Sequence, residues 1–556
     1  MRPRRMHVEA LEDRRMLAVF TVTNLQDGPV NAPADLPGSL RQAIYDANST
    51  PGADEIVWSP GIVGTITLSE GELSITDDLA VTGLGSDLTV IDAAGTSRVL
   101  NIIAPTVSLN SLQVTGGVAD RGGGIFNDGH LTLNAVTISG NVAQDAVGSA
   151  PGGDGGGIFS LHSLTINDST ISGNSAGAGG DGGGRGGHGG GVYILDGQLA
   201  VTGSTISGNA AGGYLVMFGN HYYPGYYALN DHTGEGGSGG GIYSRASAST
   251  ISGSIISDNR AGNGGSFQSG GDGGAVQVAF GDLTITESAI SGNSAGYGGK
   301  GGFGGSGGGV ASAGAGHLRI TGSSLESNAA GDGTFYGFYT YGVFGGDGGD
   351  GGAIFASSGM VTVDGIFILN NRAGNGQDVA FDYYEGGSGG GIFSNAPLTI
   401  SGSTVSGNEA GRASGGGGVG GGIHAEVQIT LLDSVVTNNY SPGGRQNAKG
   451  DFFCLGGDGG GIHSPGGMVT IMNSVINNNT SGGRGGGVRA GSLSVLHSEI
   501  SNNVSKKSGG GVNAYGGSIS SSVISNNQTE PCGYYSTQPA GSGGGVAARG
   551  NVTISQ

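Results

Sequence analysis

A six-residue word ending in asparagine returns a dozen times along this chain, and its spacing constrains the fold more than any other feature. It reads VTISGN at 136–141, STISGN at 169–174 and 204–209, SIISDN at 254–259, SAISGN at 288–293 and SSLESN at 323–328. GIFILN at 365–370 is a looser copy, STVSGN at 403–408 a close one, and SVVTNN, SVINNN, SEISNN and SVISNN end at Asn439, Asn479, Asn503 and Asn527. The last three of these asparagines are 24 residues apart, while every other step is longer, from 31 to 50. The surplus always falls between the asparagine and the next GGG[IV]-like word. A fixed unit near 24 residues with insertions at one corner is the signature of a solenoid coil.

Each unit holds three short strand words, such as GGGIFS, SLTIN and STISG within 155–174. Apolar and small polar residues alternate at period two, which marks strands with one buried face. Ile158, Leu164, Ile166 and Ile171 are placed to point inward, followed by Val192, Leu199, Val201 and Ile206, then Ile242 and Ile256. Three strands and three bends make a triangular coil that cannot cover its own apolar face, so stability comes from stacking. The expected fold is all-β, a right-handed parallel β-helix with about 24 residues per core coil and insertions at one corner. The recurring asparagines, Asn141, Asn174, Asn209, Asn259, Asn293, Asn328, Asn370, Asn408, Asn439, Asn479, Asn503 and Asn527, are expected to form a structural ladder at a bend rather than a ligand site. The chain divides into a basic leader or targeting segment at 1–18, a cap helix with the first coils at 19–115, and a Gly-rich repeat body at 116–556.

With 126 glycines among 556 residues but only 14 prolines and no G-x-y period, the chain is not collagen. A net charge of −20 speaks against nucleic acid and anionic membrane surfaces as partners. No apolar run is long enough for a membrane-spanning helix. The glycine runs do not make a P-loop, since GGDGGGIF lacks Lys and enters a strand, and Lys300 in GGKGGFGG precedes neither Ser nor Thr. GGDGGDGGA at 345–353 follows the calcium nonapeptide as far as Asp350 and then fails at Gly352. Asp154, Asp181, Asp272, Asp347, Asp350 and Asp458 recur before glycine runs. They read as solvated turn aspartates, with incidental calcium binding as the alternative, and no cofactor is implied. His221 and His232 lack a third ligand for zinc. Cys454 and Cys532 lie on coils roughly 14 Å apart, beyond direct disulfide reach, so free thiols or a stapled pair of draped loops are expected.

Three insertions are aromatic: 214–227, 335–344 and 378–387. Tyr222, Tyr223, Tyr226, Tyr227, Tyr336, Tyr339, Tyr383 and Tyr384 are the candidate binding residues, for a carbohydrate or a surface protein, because tyrosine offers a flat apolar face with a polar handle. The plain alternative is that these rings pack each loop onto the coil. Catalysis is harder to place. Asp168 and Glu287 are scattered, and Asp77 with Asp78 has nothing basic beside it. Hydrolysis needs paired carboxylates, and lyase chemistry needs a base with a cation. A chain without such a cluster reads more as a binding scaffold than as an enzyme, with a polysaccharide-active lyase or hydrolase as the alternative function.

The ends carry further signals. The first fifteen residues hold five arginines without an apolar h-region, which reads as a processed leader or, more plainly, a basic tail. In GSLRQAIYDAN at 38–48, Leu40, Ala43, Ile44 and Ala47 share one helical face with Ser39 as N-cap, suited to covering the first coil. At the other end GGGVAARGNVTISQ opens a coil with no cap following, which invites end-to-end self-association. GSLRQAIYDAN resembles the C-S-L-R-E-A motif of bacterial β-helix surface proteins, with Gly38 for Cys and Gln42 for Glu. The GGGIF…LTI…STISGN coils resemble chlamydial-type polymorphic outer membrane protein repeats, most closely in planctomycete proteins. LEDRRMLA at 11–18 resembles the N-terminal L-E-P-R-x-L-L motif of the same proteins. The resemblance spans the chain and implies an exported protein, at the cell surface, outer membrane-associated or extracellular, with a structural or adhesive role and binding through the aromatic corner loops. Chlamydial relatives also carry a C-terminal autotransporter barrel, and no such barrel pattern is visible here.

Overall fold

The computed structural model describes residues 17–32, 34–213, 233–314, 316–338, 342–377, 384–444, 456–531 and 543–555, with backbone alone for 336–338 and 342–344. The chain winds into a right-handed parallel β-helix. A typical coil carries Ile158–Ser160, Leu164–Asn167 and Thr170–Ser172 as its first, second and third strands. Each pairs in parallel with its counterparts above and below: Ile125 with Ile158 and then Val192, Leu131 with Leu164 and then Leu199, Ile138 with Ile171 and then Ile206. Register is pinned because a one-residue slip would turn every buried side chain outward. The third strands build a 15-stranded sheet, so at ~4.8 Å per strand the stack runs for roughly 65–70 Å. Ile158, Leu164, Ile166 and Ile171 are fully buried, as expected. Burying each such side chain is worth about 1.5–3 kcal/mol.

The one helix among the described residues, Leu40–Ser49, starts where the side chain of Ser39 accepts the Gln42 N–H at 3.1 Å. It buries Leu40, Ala43, Ile44 and Ala47 over the strands Val19–Val22, Asp54–Trp58 and Leu73–Ile75. Arg41 fastens it laterally through Asp27 at 2.7 Å.

The asparagines do form a ladder. Asn174 sends its backbone N–H and its Nδ2–H to Asn209 Oδ1, at 3.0 and 2.9 Å, and a second Nδ2–H back to the Ile138 carbonyl at 3.0 Å. The pattern repeats through Asn259, Asn293 and Asn328 to Asn503 and Asn527. One member differs from the sequence reading: Asn371, not Asn370, takes the place between Asn328 and Asn408. The inward residue is Ile368, and the ladder position lies three residues beyond it, as Asn174 lies three beyond Ile171. Asn370 instead occupies the preceding left-handed position at φ 55°, which Gly173, Gly208 and Asn478 fill in other coils. A parallel serine column, Ser169, Ser204, Ser254 and Ser288, stitches the bend before the third strand; the Ser169 hydroxyl accepts the Val136 N–H, and each later hydroxyl accepts the N–H of the serine one coil earlier. Asp168 and Glu287 sit exposed at that bend with positive φ.

The glycine-rich parts of the insertions are ordered, which composition alone does not convey. The outgoing leg of one insertion and the returning leg of the same or next one alternate in a single hydrogen-bonded file. Gly177 N–H donates to Gly153, Gly187 to Gly177, Gly212 to Gly187 and Gly237 to Gly212, at 2.7–2.9 Å, and the file continues to Gly418. Interleaving two legs per coil brings backbones so close that a Cβ on Gly212 or Gly331 would stand 1.8 Å from a neighbouring carbonyl oxygen. The glycine content is thus a packing requirement of this layer.

A candidate functional face of aromatic and guanidinium groups

Period-two geometry sends the residue after each inward first-strand Ile or Val outward. Successive coils place Phe126, Phe159, Tyr193 and Tyr243 there in register, then Gln277 and Ala311, then Phe355, Phe393, His424, His463 and Arg489. The rings stack: Phe159 on Tyr193 at 4.8 Å, Tyr193 on Tyr243 at 5.2 Å, Phe355 on Phe393 at 5.4 Å and His424 on His463 at 4.9 Å. Arg98 lies over Phe126 and Arg121 over Phe159. Such stacking is worth about 0.5–1.5 kcal/mol per pair beyond burial.

Four residues before the inward first-strand position, many coils carry a hydrogen-bond acceptor, with Arg121, Val419 and Arg484 as exceptions. Asp154 accepts the His188 N–H at 2.8 Å, and His188 Nδ1 accepts the Ser238 N–H at 2.8 Å. Asp272 accepts from Ser306, Asp350 from Ser388 and Asp458 from Arg484, at 2.6–2.7 Å. The solvated-aspartate expectation suits the exposed Asp181 and the partly exposed Asp347, whereas Asp154 is buried and Asp272, Asp350 and Asp458, only partly exposed, are occupied as hydrogen-bond acceptors. These four terminate backbone N–H groups that a strand edge would otherwise leave unpaired. Burial pushes Asp272 up to about 6, and burial together with Asp347 pushes Asp350 up to about 7. A raised carboxyl favours folding while protonated, so this stabilisation is lost as pH rises from the ordinary carboxylate range through 7. Asp350→Asn keeps an oxygen for the Ser388 N–H. It is expected to raise stability by roughly 1–3 kcal/mol above neutral pH and to leave it unchanged in acid, as read by thermal unfolding across pH.

Two clusters of charged and aromatic side chains lie on this face. In the first, Arg185 forks onto Asp154 at 3.0 and 3.1 Å, and His188 stacks on Tyr243 at 4.3 Å. Burial and the neighbouring Arg185 hold His188 down at about 4, so the ring is neutral. With Nδ1 accepting, its proton sits on Nε2. Arg245 lies beside the Tyr193 phenol. In the second cluster, His424 Nε2 meets Glu426 at 2.9 Å and His424 Nδ1 meets His463 Nδ1 at 2.8 Å. Burial holds both rings below the usual range. With both neutral, His424 donates to Glu426 and accepts from His463. The next side chain in the column, Arg489, is 4 % exposed and lies 3.5 Å from Asp458. Its guanidinium carbon stands 4.8 Å from the centre of the Tyr515 ring, and that of Arg549 stands 5.5 Å from it.

Apart from Asp154 and Asp458, which the sequence offers only as turn aspartates or incidental calcium ligands, none of these residues is a sequence candidate. Their signal is positional, a fixed offset from the GGG word, and it emerges once inward residues are aligned coil by coil. Of the tyrosines chosen from the loops, Tyr222, Tyr223, Tyr226, Tyr227, Tyr339 and Tyr383 lie outside the described residues, as do His221, His232, Cys454, Cys532 and the basic segment before residue 17. The Tyr336 backbone pairs antiparallel with Phe344. Tyr384 is half-buried, and its ring packs so tightly on Gly345 that a Cβ there would meet it at 2.5 Å. No group of three or more His, Cys, Asp or Glu among the described residues is placed to hold a metal ion, and no helix there is long and apolar enough to cross a membrane.

No family profile matches the chain, and no curated protein does so either. Among solved structures it is similar to the mannuronan C-5 epimerase AlgE4 A-module of Azotobacter vinelandii, with 13 % identity over 90 % of this chain and 94 % of that one, and a TM-score of 0.21. At that TM-score the likeness carries no argument about this chain, and the module's activity is not carried across.

Proposed function

We propose that this chain is an exported, surface-associated β-helix that binds an acidic polysaccharide lengthwise along the aromatic and guanidinium face. The observation that carries the reading is the distribution of charge. The chain bears a net −20, yet Arg98, Arg121, Arg185 and Arg245 lie along the stacked rings and Arg489 and Arg549 against Tyr515; Arg98, Arg185 and Arg489 are paired with carboxylates, and Arg121, Arg245 and Arg549 are exposed. The stacked rings are largely buried and form the floor under the guanidiniums, whose forks suit carboxylates or sulfates. A rigid column repeating at strand spacing suits an extended polymer better than a small ligand. Surface location is supported by the resemblance of the coils and cap helix to exported β-helix proteins.

The test is retention of the chain on immobilised polygalacturonate, alginate and heparin, with neutral dextran as control. At least one polyanion is expected to retain it, less so as salt rises. Arg245→Ala and Arg549→Ala, at exposed positions, are each expected to weaken binding roughly tenfold. Equal retention on dextran, or none on any polyanion, defeats the proposal.

A further inference from the structure

We infer that Tyr515, flanked by Arg489 and Arg549, is the general base of a β-elimination that cleaves a uronate-containing polysaccharide. This rests on the acidic-polysaccharide reading and adds chemistry to it. Tyr515 lies two residues beyond Asn513, the outward residue of its coil, and is 45 % exposed. It differs in this from Tyr193, which is enclosed in its stack at 5 % exposure. The two guanidiniums near its ring differ in setting. Arg489 is buried and fixed by the Ala490 carbonyl at 3.2 Å and by Asp458. Arg549 comes from the next coil and is exposed. Arg489 is therefore held inside the protein, and Arg549 is the exposed cation that a ligand's carboxylate can reach.

The adjoining Arg489, together with the charge of Arg549, holds the phenol below its ordinary range. That favours the phenolate, the form a base requires. Uronate chemistry needs two more things: neutralisation of the carboxylate, so that the proton at C5 becomes acidic, and a proton for the departing oxygen at C4. Arg549 meets the first need, since charge stabilisation of the enolate-like carboxylate is an electrostatic task. The phenol meets the second after it has taken the C5 proton. The C5–H and C4–O bonds break, a C4=C5 double bond forms, and the proton passes through Tyr515 to the leaving O4. The products are one chain with an unsaturated uronate end and one with a free hydroxyl. No water, metal or oxidant enters the balance.

The closing experiment incubates the full chain with polygalacturonate, alginate and hyaluronan. It follows ultraviolet absorbance of the conjugated end and, separately, retention on each polymer. Unsaturated ends are expected from at least one polymer. Tyr515→Phe removes one exposed hydroxyl and leaves the thermal midpoint unchanged. It is expected to lower kcat by roughly 100-fold or more while retention persists. The acid limb of the wild-type pH profile is expected below the ordinary tyrosine range. Retention without unsaturated ends from any polymer overturns the elimination and leaves the binding reading intact, whereas loss of retention overturns both. Full activity in Tyr515→Phe, or new reducing ends without unsaturation, also overturns it.

Discussion

Replacing Asn293 with alanine is expected to destabilise the middle of the solenoid by about 3–5 kcal/mol, among the largest effects of any single side-chain truncation in the body. The side chain is 1 % exposed and serves three coils. Its Oδ1 accepts from the backbone N–H and Nδ2 of Asn259, at 2.9 and 3.0 Å. Its Nδ2 donates to Asn328 at 3.0 Å and to the Ile256 carbonyl at 2.9 Å. Alanine leaves buried donors above and buried acceptors below with no water to replace the amide, and each costs about 1–3 kcal/mol. Asn293→Asp is the informative companion, since it keeps the acceptor and loses both donations. Thermal unfolding with hydrogen exchange of the flanking strands measures both. If the alanine variant exchanges like the parent around Ile256 and Leu325, the amide is not a stabilising element.

The second large effect is expected at Gly331. A Cβ there would lie 1.8 Å from the Gly296 carbonyl oxygen and 2.8 Å from the Gly305 nitrogen. All of those atoms are backbone, so no rotamer change relieves the clash. Gly331→Ala is expected to cost on the order of 3 kcal/mol or more and to open the insertions of the adjacent coils to protease. Gly173 provides the control. Its φ is 62°, nothing lies within 4 Å of its Cβ position, and asparagine occupies the same bend position at 438, 478, 502 and 526. Gly173→Asn should be close to neutral. A sensitive Gly173→Asn alongside a tolerant Gly331→Ala would show that glycine is needed here for its backbone angles and not for close approach.

The contrast between these glycines explains how far the sequence could be read. The repeating word and its minimum spacing of 24 imply a stack of coils, and alternation within SLTIN and STISG assigns inside and outside. Those inferences need only local geometry. The word-end rule slipped at GIFILNN, where two asparagines adjoin. Counting three residues from inward Ile368 selects Asn371, because the bend is measured from the buried side chain and not from the end of a motif. The glycine layer and the acceptor column were out of reach for a different reason. Gly187 is constrained by Gly153 and Gly177, and Asp350 by Ser388, so their roles depend on partners in neighbouring coils. The aromatic face was concealed by attention to loops. Phe159, Tyr193, Tyr243 and His424 sit one residue past an inward position inside an unremarkable strand, and only alignment of consecutive coils brings them into a column.

The ladder also bears on how such a molecule changes over generations. Asn209 and Asn259 are fifty residues apart, Asn479 and Asn503 only 24, yet both pairs bond at 3.0 Å through the same atoms. Contour length between rungs is thus uncoupled from the rise of the helix. A duplicated coil finds its acceptor and donor already in place, whatever excursion it carries. Tandem duplication or loss of one coil therefore lengthens or shortens the stacked face by a single strand spacing without redesign of its neighbours, and the length of the solenoid can be changed by recombination alone.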